Sequence, residues 1–263
     1  MSRQALKNVI RLLEENNRQL PVEQTFLNDL KRTIELEDKK HRRKPSQSYK
    51  PSSMNCIRNM YYQVTGAEEE GEDANYCLVG IVNSGSDIHV RIQSYIESMK
   101  NNDMDCEYID VADFVKQRDL QDIQVVSKQG METKLYHKKL NMSFLTDGII
   151  RYRGRYYILE IKTETSFKWQ NRKEVSTDHY HQATAYSIAF GLDNVIFLYI
   201  NRDVLDMKAF LFTVTGEMKQ GLIGMIDTCD SYIVKKQVPP MPEQASSKFC
   251  QYCGYRNKCK GDG

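Results

Sequence analysis

The chain has 263 residues, 40% of them hydrophobic and 27% charged, with a formal net charge of +2. That length provides one large domain or two small ones with a sizeable core, and the near balance of charge confines any nucleic-acid surface to a local patch. No stretch approaches the ~20 apolar residues of a membrane span, and "MSRQALKNVIRLLEENNRQL" lacks the apolar segment of a secretory signal. The protein is therefore expected inside the cell, where its seven cysteines would not serve as structural disulfides.

Helical periodicity runs over 3–16, carrying Leu6, Val9, Ile10, Leu12 and Leu13. After a turn at Pro21 it resumes over 22–38 with Phe26, Leu27, Leu30, Ile34 and Leu36. "KKHRRKPSQSYKPSS", 39–53, is basic, aperiodic and rich in Pro and Ser. It reads as a linker or exposed loop, or as a strip that contacts phosphates and extends toward Arg58. Residues 54–64 form a short predicted helix, followed by the acidic loop "AEEEGED". A long helix is predicted over 77–100, with Val79, Ile81, Val82, Ile88, Ile92, Ile96 and Met99 as its stripe and a bend or break at Gly85.

From about residue 122 the pattern becomes β: "IQVVSKQ", "ETKLYHKKLNMSFLTDGIIRYRG" and "RYYILEIKT" alternate or run apolar, with a tight hairpin at Gly154. A helix over 178–190 is capped by Thr177 or Asp178. Strands 195–201 and 208–214 and a helix over 216–235 follow, ended by "VPPMP". This order argues an α/β core with a mixed central sheet flanked by helices.

One strand stands out. "YYILEIKTE", 156–164, puts Glu160 and Lys162 on one face of an apolar strand. The hairpin at Gly154 brings Asp147, in "FLTDGII", to the same sheet end. Two neighbouring carboxylates raise one pKa or demand a cation, and Mg²⁺ or Mn²⁺ takes oxygen ligands of this kind. The alternative is an ordinary hairpin with a Glu–Lys ion pair.

The spacing Asp147…Glu160-x-Lys162 resembles the signature of the PD-(D/E)XK nuclease superfamily, although Thr146 stands where the naming proline would be. Gln182 and Tyr186 resemble the Q-x-x-x-Y motif of its RecB-like branch, and Gly85 with His89 resembles the branch's helical G-x-x-x-H element. The resemblance implies a restriction-endonuclease-like fold, a metal held by His89, Asp147, Glu160 and the carbonyl of Ile161, and catalysis with Lys162. Gln182 and Tyr186 would hold the DNA strand. The imidazole suits Mn²⁺ better than Mg²⁺.

"FCQYCGYRNKC" supplies Cys250, Cys253 and Cys259, too few to complete a four-ligand site. Cys56 is the best candidate for the fourth. One early cysteine with a terminal C-x2-C-x5-C resembles the iron–sulphur branch of RecB-like nucleases, of the AddB nuclease-domain and CRISPR-adaptation type. That resemblance implies a [4Fe–4S] cluster clasping the two ends of the domain; zinc is the competing cofactor.

The loop after the active strand carries Lys168, Trp169, Arg172 and Lys173, which suit base stacking and phosphate neutralisation. The alternative is a surface loop whose Trp caps the core. The resemblance spans roughly 54–263, a nuclease domain preceded by a helical region and basic linker over 1–53. It implies a metal-dependent DNA exonuclease acting on single strands or ends in recombination, repair or CRISPR or phage DNA processing, in a prokaryotic or phage-infected cell. The alternative is a non-catalytic iron–sulphur subunit that binds DNA ends. The N-terminal helices would then dock a protein partner.

Overall fold

The computed structural model describes residues 5–11, 20–41, 47–69, 75–129, 132–242, 248–251 and 253–262. The chain divides into two compact units, 1–44 with 71–83, and 45–70 with 84–263. In the first unit residues 5–11 are helical and α1 spans Val22–His41. The predicted helix over 3–16 is described only across 5–11. The apolar stripe of α1 is largely exposed, with Phe26 at 66% and Leu30 at 44%.

The second unit begins with a correction. The basic segment expected to be an exposed connector enters the core at its far end. Ser48, Tyr49 and Pro51 are buried, and Tyr49 exchanges backbone hydrogen bonds with Asn141 and Ser143. Its hydroxyl donates to Asp230 at 2.6 Å. Then come α2 (Ile57–Val64) and α3 (Tyr76–Ser98), whose residues from 84 onward belong to this unit. Helix α3 runs unbroken through Gly85, where a bend was expected.

Residues 101–121, which carried no sequence prediction, form the edge strand β1 (Cys106–Ile109) and helix α4 (Val111–Gln117). The run from 123 onward then forms β2 (Ile123–Gln129), β3 (Glu132–His137), β4 (Met142–Thr146), β5 (Gly148–Tyr152) and β6 (Arg155–Glu164). These belong to two sheets, where one was expected: β2-β3-β4 is antiparallel, and β1-β5-β6-β7-β8 is mixed. Strands β7 (Asn194–Asn201) and β8 (Met207–Thr213) complete the second sheet, with β6 and β7 parallel and the other neighbours antiparallel. The β5–β6 turn places Arg153 and Gly154 at positive φ, as a two-residue hairpin requires.

Helices α5 (Ser166–Gln170), α6 (Tyr180–Phe190) and α7 (Gly216–Lys235) follow, and α8 (Lys248–Gln251) and α9 (Arg256–Gly261) end the unit. A 3₁₀ turn over Thr177–His179 precedes α6, so His179 takes the cap position predicted for Thr177 or Asp178, and no side chain caps it. Helix α7 does have its cap, the Thr215 hydroxyl accepting from the Met218 N–H. It buries Leu222, Ile226 and Cys229 at helical spacing.

The period-2 rule then sorts the core. Ile158 joins the cluster that contains Ala183, Ala185, Tyr186 and Leu222 from α6 and α7. Leu159 and Ile161 join the opposite cluster, with Ile92 flanked by Ile88 and Ile96 of α3. The five-stranded sheet is thus covered on both faces, which explains why β6 is apolar on both sides of its pleat. The layout is a mixed α/β core in which helices flank the five-stranded sheet.

Candidate active site

Asp147 occupies the step between β4 and β5, where the chain leaves one sheet for the other. Its position follows from two hairpin registers. One step beyond the pair Gly148↔Leu159, position 147 faces position 160. One step beyond Thr133↔Thr146, the same position faces 132. Because β5 begins only at Gly148, the N–H of Ile161 is met by a carboxylate instead of a strand, donating to Asp147 Oδ2 at 2.6 Å. The Asp147 carbonyl accepts from Gln93 Nε2 at 2.7 Å and from the Tyr108 hydroxyl at 3.3 Å. Gly148 is required beside it. Its φ is +146°, and a Cβ there would come within 2.5 Å of the Tyr108 ring.

Glu160 and Lys162 face α6. Lys162 Nζ lies 2.6 Å from Glu160 Oε1, and Lys162 is the more exposed partner, its side chain 23% accessible against 4%. So the two are each other's counter-ion, contrary to the expectation that they act separately. Gln182 ties them together, its Nε2 donating to Glu160 Oε1 at 2.8 Å and its Oε1 accepting from Lys162 at 2.9 Å. The second Nε2 hydrogen goes to the Tyr186 hydroxyl, which donates to the Leu145 carbonyl at 2.6 Å. Gln182 and Tyr186, expected to hold a DNA strand, are both buried. Glu160 Oε2 is buried and has no hydrogen-bond partner among the described residues. Burial pushes the Glu160 carboxyl up to about 7, against Lys162 and with Asp147. Loss of water is the dominant cause, and the Lys162 counter-ion offsets it only in part.

His89 reaches this site from α3. Gly85, one turn earlier, lets the helix approach β6 closely, since a Cβ there would sit 3.3 Å from Thr163 Oγ1. His89 Nδ1 lies 3.3 Å from Asp147 Oδ1. Burial opposes its charged form, but the Asp147 hydrogen bond and charge outweigh it and raise its pKa. His89, Asp147 and Glu132 each place one ligand atom within 4.8 Å of the others, a group able to hold a metal ion. Glu132 was missed in the sequence, although the β3–β4 register that delivers it was within reach of hairpin reasoning.

The four predicted cysteines line one pocket with Arg58, Asn59, Tyr62 and Tyr255. None of the four is in a disulfide. Cys56 and Cys259 are raised by burial and by the other thiols, with Arg58 opposing the rise at Cys259. Asn59 Nδ2 donates to Cys253 Sγ at 3.3 Å. Arg58, read from sequence as part of a phosphate track, is only 2% exposed. Its Nε donates to the Tyr62 hydroxyl, while Nη2 lacks a partner among the described residues. The four cysteines thus share a pocket with a buried guanidinium, while the group whose ligand atoms gather closely enough for a metal ion among the described residues is His89, Glu132 and Asp147.

The loop proposed for DNA is partly committed elsewhere. Trp169 donates its indole N–H to the Tyr199 carbonyl at 3.1 Å and carries Lys208 over its ring. Arg172 pairs with Glu164 and stacks on Tyr199. Both side chains are half-buried with their polar groups engaged within the fold. Lys168 and Lys173 are exposed, as is Phe167 at 78%.

No protein-family profile matches the chain, and no curated protein matches it. Among solved structures it aligns with SSO0001 at a TM-score of 0.49 and 16% identity, over 91% of this chain and 98% of that one. It also aligns with LHK-Exo, solved in complex with dAMP, at a TM-score of 0.41 and 9% identity, over 72% and 89% of the two chains. No helix of the described residues is long and apolar enough to cross a membrane.

Proposed function

We propose that the protein is a metal-dependent deoxyribonuclease that hydrolyses phosphodiester bonds in single-stranded DNA or at DNA ends. The observation that carries this reading is Glu160. One of its oxygens is committed to Lys162 and Gln182, while the other is bare and buried, within electrostatic reach of Asp147 and His89. His89, Asp147 and Glu160, with the Ile161 carbonyl, would hold Mn²⁺ or Mg²⁺. Such a cation supplies Lewis-acid polarisation of a phosphoryl oxygen.

The chain's own groups do the rest. Gln182 fixes the Glu160 carboxylate and the Lys162 ammonium in one plane of hydrogen bonds. Tyr186 anchors Gln182 to the β4 backbone. Lys162, the more accessible end of the pair, places positive charge where a phosphate would enter and would orient the attacking water. The ion pair and the ligand role are compatible because they use different oxygens of Glu160. Lys168 and Lys173 offer phosphate contacts nearby in sequence. The four cysteines would hold a [4Fe–4S] cluster, whose binding free energy becomes folding free energy for the ends it joins.

The test is incubation with Mn²⁺ or Mg²⁺ and single-stranded or duplex DNA, with free and with blocked ends. Cation-dependent cleavage of free-ended substrate, stopped by EDTA, is expected; no cleavage of any substrate would overturn the reading. Anaerobic purification should give a coloured protein with broad visible absorption, and a colourless zinc protein would replace the cluster.

A further inference from the structure

We propose that Glu132 is a further ligand of the active-site cation, contributed by the three-stranded sheet. This rests on reading the site as a cation-dependent nuclease centre. The sequence motif accounts for groups from α3, the β4–β5 step and β6. It contains nothing from β3. Yet the β3–β4 register sets position 132 across from Asp147, and one ligand atom each of His89, Glu132 and Asp147 falls within 4.8 Å of the others. Two ligands on one Mn²⁺ or Mg²⁺, each ~2.1 Å from it, stand at most ~4.2 Å apart. The observed spread needs only a small side-chain adjustment to close.

Three further observations point at a bound cation. Glu160 Oε2, Gln93 Oε1 and Thr133 Oγ1 are buried without hydrogen-bond partners among the described residues. All three belong to residues that touch or flank Asp147 and Glu132. Among the described residues the Glu132 carboxylate is in no ion pair, so it brings uncompensated negative charge to the site. One imidazole and three carboxylates form a hard, oxygen-rich set that suits Mn²⁺. The site would then be shared between both sheets, and binding would stitch β3 to β5 and β6.

The test uses the full chain and Mn²⁺ alone, followed by the loss of the free Mn²⁺ electron-paramagnetic-resonance signal and by calorimetry. Wild type, Glu132→Gln and Asp147→Asn are compared. Glu132→Gln is expected to weaken Mn²⁺ binding at least ~10-fold. Without Mn²⁺ its melting temperature should equal or exceed that of wild type, because a carboxylate is removed from an unneutralised cluster. A purely structural Glu132 would instead lower that melting temperature and leave Mn²⁺ affinity unchanged, which would overturn the proposal. If Asp147→Asn loses Mn²⁺ while Glu132→Gln keeps wild-type affinity, this inference fails and the active-site reading stands. If wild type binds no Mn²⁺, both fall together.

Discussion

The carboxylate site and the cysteine pocket are built in opposite ways. The first hangs on strands: Asp147, Glu160 and Lys162 are held by sheet registers and by a saturated Gln182. The second is assembled from chain segments far apart, α2's start and the short helices α8 and α9. The five buried polar atoms without partners among the described residues divide between these two places. At the carboxylates they are oxygens, on Gln93, Thr133 and Glu160; at the cysteines they include the Arg58 guanidinium. The first place thus gathers oxygens alone, whereas the second holds a donor, Arg58 Nη2, and an acceptor, Asn59 Oδ1. A rigid sheet can preorganise a site before its metal arrives, whereas a pocket of loose ends depends on the metal to form.

That contrast can be broken most forcefully at the cysteines. Cys253→Ser should abolish the cofactor and destabilise the clasp on the order of 10 kcal/mol, the scale of structural metal binding. Limited proteolysis should then cut first within 248–262, with the sheets surviving. Simultaneous loss of both regions would refute the distinction. Next in size is Lys162→Ala, expected to reduce DNA hydrolysis by about 10²–10³-fold while DNA binding, followed by gel shift, persists. Undiminished cleavage would remove Lys162 from the mechanism.

Smaller effects sharpen the picture of a preorganised sheet site. Tyr186→Phe deletes the hydrogen bond to the Leu145 carbonyl and should cost about 1 kcal/mol. For a domain of this size that is about 2–4 °C in melting temperature, readable by calorimetry. If Tyr186 held DNA instead, the variant would lose affinity without losing stability.

The remaining effect is a pH slope, absent at neutral pH. Burial, reinforced by Lys162 and Arg172, lowers His179 to about 3, from an unfolded value of about 6.5. Its Nδ1 lies 2.8 Å from the Tyr199 hydroxyl. The unfolded chain takes up the proton first, so this contribution to stability is complete above pH 6.5 and is lost as pH falls from there toward 3. His179→Gln keeps a partner for Tyr199 and should flatten the acid-side decline in melting temperature; an unchanged profile would show that His179 is not part of it.

Much of the frame was legible in the sequence because its signals are local. Alternation marked the β region from 122 to 164 without separating β3, β4 and β5, strands β7 and β8 were read singly, and the stripe of Leu222 and Ile226 with the VPPMP stop bounded α7. The hairpin at Gly154 sufficed to bring Asp147 toward Glu160, and cysteine spacing sufficed to suggest one shared pocket. Strand β1 and helix α4 escaped because a four-residue strand, one residue buried and three half-buried, and a two-turn helix carry too little periodicity. The split into two sheets escaped because both alternate with period 2, and alternation does not say which strand lies beside which.

What the sequence determined by itself was the set of chemical groups and their order along the chain. What only the tertiary structure decided was their allegiance. Trp169 and Arg172 turned inward because Tyr199 and Glu164 offered buried partners. Arg58 left the surface for the cysteines, and Tyr186 left the ligand face for a backbone carbonyl. Glu132 entered the site through a register that no spacing motif records. Charge and hydrogen-bonding capacity are properties of residues, but which groups satisfy one another is settled by packing, where most buried polar atoms find a partner.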